Sequence, residues 1–249
     1  MFPVPSVLAD EPVKCLAFAA VIFFANVIQA VTGFAGVMLA LPPSMLLFGP
    51  DMAKAAVNAV NWAACAYLAW HNRTYLVRRE FFRIIGWMLA GIAAGLWLYG
   101  AVDAALLIPL YGAIIIAVAL KNLLLKHSDR PLPRWAPVPI LFGAGVIHGM
   151  FVSGGALLVL YLAATFRDKH AFRANASAVW AVLNLFLMIA DFEKGLYDAE
   201  FFTLTALAFL PLGAAVWLGN AIHSRINQPL FNHLTYGLLL LSGAMIILW

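Results

Sequence analysis

Charge is scarce in this chain: Asp, Glu, Lys and Arg make up 10% of its 249 residues, against about 25% in a soluble domain. Long polar stretches are missing too, since the widest gaps between apolar runs are Trp70 to Arg83 and Lys121 to Pro137. Together these absences exclude a soluble globular protein, and they leave no room for a soluble domain beside the apolar segments. Period-two alternation is absent from runs such as Ile84 to Leu98 and Leu234 to Trp249, which excludes barrel strands and leaves membrane helices. Cysteine is limited to Cys15 and Cys65, both in apolar segments without a pairing or zinc-binding motif, so they read as packing residues. There is no nucleotide-binding P-loop, no His-Glu-x-x-His and no Gly-x-Ser-x-Gly elbow. The sequence thus offers no catalytic residue, no metal site and no cofactor. The segment Met-Phe-Pro-Val-Pro-Ser lacks the basic start of a signal peptide, so the apolar run from Val13 is expected to stay in the membrane.

What is present is oil with regular punctuation. Hydrophobic residues are 65% of the chain and the mean hydropathy is +0.94, which reads as an all-α integral membrane protein. Apolar runs fall at residues 13–31, 34–48, 52–70, 82–99 and 104–124, and again at 137–151, 154–166, 172–190, 201–219 and 229–249. An internal repeat underlies this order. Val27-Ile28-Gln29 matches Val146-Ile147-His148, Gly36 matches Gly155 and Trp62 matches Trp180. Phe81-Phe82, Trp97-Leu98 and Pro109-Leu110 match Phe201-Phe202, Trp217-Leu218 and Pro229-Leu230. The offset stays near 119 residues throughout. The expected organisation is one transmembrane domain over 1–249: a first repeat at 13–124, a cytoplasmic linker at 125–136 and a second repeat at 137–249.

Charge placement orients the chain. Twelve of the 15 Lys and Arg residues, all but Lys14, Lys54 and Lys194, fall in four loops on one side, which the positive-inside rule makes the cytoplasm. The net charge of +4 is therefore read as topology and not as a nucleic-acid surface. Both termini are expected outside a bacterial inner membrane. The loop after the third segment is basic in the first half and acidic in the second, so the halves are inverted. Inverted repeats with interrupted helices recur in secondary transporters, with the substrate near the midplane.

Each half opens with a helix that runs into glycine and a short second segment: Val31-Thr32-Gly33-Phe34-Ala35-Gly36, and Phe151-Val152-Ser153-Gly154-Gly155. A broken or re-entrant hairpin frees backbone amides, which cannot stay unpaired in hydrocarbon. Freed amides at a helix N-terminus suit an anion, and glycine lets it approach. The candidate substrate-binding residues are Gln29, Thr32, Gly33 and Gly36 in the first half, with Asn58 and Asn61 on the third segment. In the second half they are His148, Ser153, Gly154 and Gly155, with Asn175 and Ser177. Lys54 and Arg173 begin the third segments on opposite faces and suit vestibules that draw anions in. Plainer readings stand beside each: glycines for close helix packing, asparagines tying helices together, a neutral His148 bonded to a carbonyl, and basic side chains snorkelling to the surface.

At these residues the chain resembles the TauE/SafE family of bacterial membrane permeases, the sulfite exporters. The carriers are Gly33-Phe34-Ala35-Gly36-Val37-Met38-Leu39-Ala40-Leu41-Pro42 and Gly145-Val146-Ile147-His148-Gly149-Met150-Phe151-Val152-Ser153-Gly154-Gly155-Ala156-Leu157-Leu158-Val159. The family pattern has a denser glycine run with a following proline in both halves. Here the first break has two glycines and keeps Pro42 and Pro43, and the second places Tyr161 where the proline would stand. The resemblance implies export or uptake of a small sulfur-containing anion such as sulfite, thiosulfate or a sulfonate, by alternating access. The expected partners are that anion and the lipid bilayer, with a coupling proton or ion and a homo-oligomer left open and no nucleic acid. Two other function classes compete: an intramembrane enzyme using His148 and Ser153, and a non-transporting assembly or sensor protein. Against the enzyme, those two residues stand five apart and no third, orienting acid lies in the spans; against the scaffold, there is no sizeable soluble domain.

Overall fold

The computed structural model describes residues 11–98, 112, 113, 115–117, 119, 120, 123, 124, 133–151, 155–193 and 195–248. Among these the regular structure is helical. The helices are α1 (Pro12–Thr32), α2 (Gly36–Phe48), α3 (Pro50–His71), α4 (Arg78–Leu98), α5 (Pro137–Phe151), α6 (Gly155–Thr165), α7 (Lys169–Glu193), α8 (Ala199–Arg225) and α9 (Gln228–Leu248). A single 3-10 turn, Arg73–Tyr75, lies between α3 and α4. The described positions between 112 and 124 are helical as well, where the fifth apolar run falls, while its start at 104–111 lies outside the described residues. By length and composition, α1, α7 and α8 are apolar and long enough to cross a membrane.

Local chemistry explains where these helices start. Asp168 accepts from Ala171 N at 2.8 Å, Asp198 from Phe201 N at 2.8 Å and Asn227 from Leu230 N at 2.9 Å. Each side chain satisfies one orphan amide of the first turn of α7, α8 or α9. Pro12 and Pro50 sit in the first turn of α1 and α3, where the missing N–H is no loss. Three apolar helices are shorter than an ordinary span: α2 has 13 residues, α5 has 15 and α6 has 11, about 20 Å, 22 Å and 16 Å of rise.

The chain forms two compact units that interleave its halves. One holds the chain up to residue 74 together with 177–226; the other holds 75–176 together with 227–249. In the first unit α1 packs along α8, α2 lies against α1 and α3, and α3 also meets α8. Its core runs from Phe18 and Ile22 through Ala55, Ala56, Ala59 and Ala64 to Leu204, Ala208 and Leu212. Alanines at these contacts let the helix backbones approach.

In the second unit α4 packs along α5, and α5 against α6. The α4–α5 seam is made of glycine. A side chain on Gly91 would strike Phe142 O, one on Gly95 would strike Val146 O, and one on Gly145 would strike Met88 O. Two small-xxx-small pairs, Gly91/Gly95 and Gly145/Gly149, therefore face each other's helix, the pattern by which membrane helices gain van der Waals contact.

Candidate functional site

The first glycine break is a buried polar knot. α1 ends at Thr32 because Gly33 adopts the left-handed conformation, φ 88°, and its N–H returns to Gln29 O at 2.6 Å. Only glycine takes that conformation without strain. Thr32 Oγ1 donates to Ile28 O at 2.8 Å and accepts from Phe34 N at 3.4 Å. α2 then starts at Gly36, whose N–H donates to the side-chain oxygen Oε1 of Gln29 at 2.7 Å. The other end of that amide, Nε2, donates to Cys65 Sγ on α3 at 3.1 Å, and Asn61 Nδ2 reaches the same sulfur at 3.5 Å. Gln29 and Cys65 are fully buried, and Thr32 and Asn61 nearly so. Asn61 Oδ1 has no hydrogen-bond partner among the described residues.

The structure therefore brings Gln29, Thr32, Gly33, Gly36 and Asn61 to one place. The amides of the break are not all open: Gly36 N–H is held by Gln29 and Phe34 N–H by Thr32. Cys65, which the sequence presents as a packing residue, is the hub on which both amide side chains converge. Asn58, one turn from Asn61, donates from Nδ2 to Asn184 O at 3.3 Å and so ties α3 to α7. Ser177 is fully buried, with no partner for Oγ among the described residues.

In the second half, Ser153 and Gly154 lie outside the described residues. His148 is buried near the end of α5, and the half-buried Gly155 opens α6. Asn175 is fully buried and serves as a loop tie. It donates to Ala171 O at 2.8 Å and Tyr75 O at 3.4 Å, and accepts from Val77 N at 3.2 Å. The two vestibule candidates differ in setting. Lys54 Nζ lies 3.6 Å from the carboxylate of Asp191, a residue only 1% exposed, whereas Arg173 is itself buried.

Three features lie outside the sequence candidates. Tyr161 OH donates to Glu80 Oε2 at 2.5 Å, and Arg83 bridges the same carboxylate at 3.0 Å; this polar cluster occupies the position where the family pattern has a proline. Asp191 is a buried acid whose counter-charge comes from Lys54. His223 bonds Val31 O at 2.7 Å, at the last turn of α1. Among the described residues no group of three or more His, Cys, Asp or Glu could hold a metal ion.

No solved structure matches this chain. It is similar to the probable inner membrane transporter protein TsaS of Comamonas testosteroni, at 29% identity over 174 residues, 67% of this chain and 72% of that protein. The family model for the sulfite exporter TauE/SafE matches residues 18–246. With a buried polar break set in apolar helices and a family match across nearly its whole length, this chain belongs to the sulfite exporter TauE/SafE family.

Proposed function

We propose that this protein is a secondary transporter of the inner membrane that carries a small sulfur-containing anion, sulfite or an organosulfonate, by alternating access, and is not an enzyme. The observation that carries the reading is the knot at Gly33–Gly36. The cluster is buried deep among apolar helices with its groups bonded to one another, except that Asn61 Oδ1 is left without a partner among the described residues. A polar site of this kind inside a membrane protein marks a candidate for function. Gln29 Oε1 stands on Gly36 N–H, where an anion's oxygen would stand at the positive end of α2. Substrate would displace that carbonyl and exchange one hydrogen bond for another. A half-turn of the Asn61 amide would then present Nδ2 to the anion, while Oδ1 accepts a hydrogen bond from the Cys65 thiol.

Paired packing supports an inverted-repeat architecture. α1, the first helix of the first half, lies along α8, the fourth of the second; α5, the first of the second half, lies along α4, the fourth of the first. The second break, flanked by His148 and Gly155, would play the corresponding part in its own unit. The one-sided distribution of Lys and Arg supports termini outside the cytoplasm. On this reading the partners are the anion, the lipid bilayer and a coupling proton or ion.

The test is flux. Purified protein in liposomes should move radiolabelled sulfite, thiosulfate or methanesulfonate faster than protein-free vesicles. Gln29→Leu should abolish that flux with the protein still folded. No flux of any of these anions, in either direction, would defeat the proposal.

A further inference from the structure

We propose that His223, with Gly219 one turn before it, is a positioning residue that sets the geometry of the first break from the opposite helix; this rests on reading that break as the substrate site. The carbonyls of the last turn of a helix lack intrahelical partners and need others. At the end of α1, Gln29 O is taken by Gly33 N–H. Val31 O is taken by the ring of His223, whose Nδ1 lies 2.7 Å away. A carbonyl oxygen can only accept, so Nδ1 carries the proton and the imidazole is held in that form. His223 is 1% exposed, so water does not compete for this bond.

Gly219 lies four residues earlier and therefore on the same face of α8. A side chain there would fall 2.5 Å from Ala30 Cβ and 2.7 Å from Val27 O. Contact with α1 is thus close at the Gly219 backbone, against Ala30 and Val27 O, and hydrogen-bonded at His223, covering Val27 to Val31, the turn that carries Gln29. From the other side of the break, Gln29 holds the first amide of α2. Val31 O at the end of α1 and Gly36 N–H at the start of α2 are therefore each held by a side chain, and of the two His223 acts from outside α1–α3. Shifting the α1 end would move Gln29 Oε1 relative to Gly36 N–H without touching either residue.

The side-chain amide of asparagine places Nδ2 where histidine places Nδ1, whereas glutamine places its donor one carbon farther out. His223→Asn should keep the bond to Val31 O; His223→Gln, equally polar, and H223L should lose it. Two readouts apply to each variant in the full-length protein. One is sulfite flux in liposomes, resolved into KM and maximal rate. The other is hydrogen exchange of the backbone amides at 33–37, which needs no substrate. The expected result is that H223Q and H223L raise KM about tenfold, the value of one hydrogen bond, and speed exchange at 33–37, while H223N stays near wild type in both. If H223N and H223Q behave alike in exchange, the positioning role is wrong, whatever the flux. If wild type carries none of the anions yet exchange separates the variants, the transport reading fails and the clamp stands.

Discussion

Gly36→Ala is the smallest change that tests the geometry of the break. An ideal Cβ at Gly36 lies 2.7 Å from Asn61 Oδ1, 2.9 Å from Gln29 Cβ and 3.0 Å from Gln29 Oε1. Carbon–oxygen and carbon–carbon contacts settle near about 3.3 Å and about 3.5 Å, so each contact is roughly half an ångström too close. Asn61 can rotate away, but Gln29 Cβ is fixed to the α1 backbone, so the first turn of α2 must move. That movement lengthens the 2.7 Å bond from Gly36 N to Gln29 Oε1 to the edge of hydrogen-bonding range. Overpacking costs about 1–3 kcal/mol and the weakened buried bond about 1 kcal/mol, offset by about 0.5–1 kcal/mol from alanine in a helix. The net loss of about 1–3.5 kcal/mol corresponds to a fall in Tm of about 2–14 °C for a chain of this size. Tryptophan fluorescence during heating of the detergent-solubilised protein measures it. Gly86→Ala is the matched control, because a Cβ there meets nothing within 4 Å; its Tm should hold or rise. Combining G36A with Asn61→Ala should recover part of the loss as a coupling of about 1 kcal/mol. A fall no larger than that of G86A would refute the packing of Asn61 and Gln29 over Gly36.

Three further outcomes follow from single contacts. Gln29→Leu leaves Gly36 N–H and Cys65 Sγ without the partner they now share, so stability should fall by about 1–3 kcal/mol; an unchanged Tm would remove Gln29 from the knot. Lys54→Met strands the buried Asp191 carboxylate, and with Lys54 Nζ at 3.6 Å and its side chain 31% exposed the cost should be about 2 kcal/mol, less than for a fully buried pair. Adding Asp191→Asn should recover about half, and a double variant no more stable than the single one would show the pair to be inert. Burial, and next the nearby Asp191 charge, raise the Tyr197 phenol above its ordinary value. Its neutral form is favoured in the folded state, so its contribution is whole below the unfolded phenol value of about 10 and is lost as pH rises through the higher folded value. Y197F should therefore flatten the alkaline fall in Tm, and an identical fall in both proteins would refute this.

Apolar runs gave the helices their places because hydrophobicity is a local property. The run at 137–151 coincides with α5, and 13–31 differs from α1 by one residue at each end. α8 shows the limit. The apolar run ends at residue 219, ahead of Asn220, His223 and Ser224, yet the helix continues to Arg225, and His223 is buried against α1. A polar residue looks like a helix end until its partner is known, and here the partner lies 192 residues away. Cys65 is buried as a packing residue is, but nothing local to α3 shows that Gln29, 36 residues earlier, aims an amide at its sulfur. Asn175 looks like a lining residue by type and face, but its three bonds go to backbone groups of Ala171, Tyr75 and Val77. The glycines were legible because the conformation of Gly33 and the crowding at Gly36 are demands that only that residue type meets.

The interleaving of the halves bears on how such a site can be asymmetric. α1 takes its packing partner from the other half of the chain, α8, and α5 takes its own from α4. The first break therefore answers to groups from both halves of the chain, Gln29 and Asn61 from the first and Gly219 and His223 from the second. Against α1, α8 offers one close glycine and a histidine that bonds the helix end. Against α5, α4 offers two glycines, Gly91 and Gly95, whose contacts are with backbone alone. A seam of backbone contacts resists separation but sets no particular hydrogen bond, whereas His223 fixes one carbonyl at the break itself. Among the described residues, the fourth-helix partner of the first break thus hydrogen-bonds the helix end itself. If the anion is recognised at one break and released through movement at the other, the first is where discrimination among anions should reside. Exchanging residues around Gln29, Asn61 and Cys65 should then change which anion is carried, while changes along the Gly91 and Gly95 seam should alter the rate for all anions alike. A seam variant that shifted selectivity without changing rate would reverse that assignment.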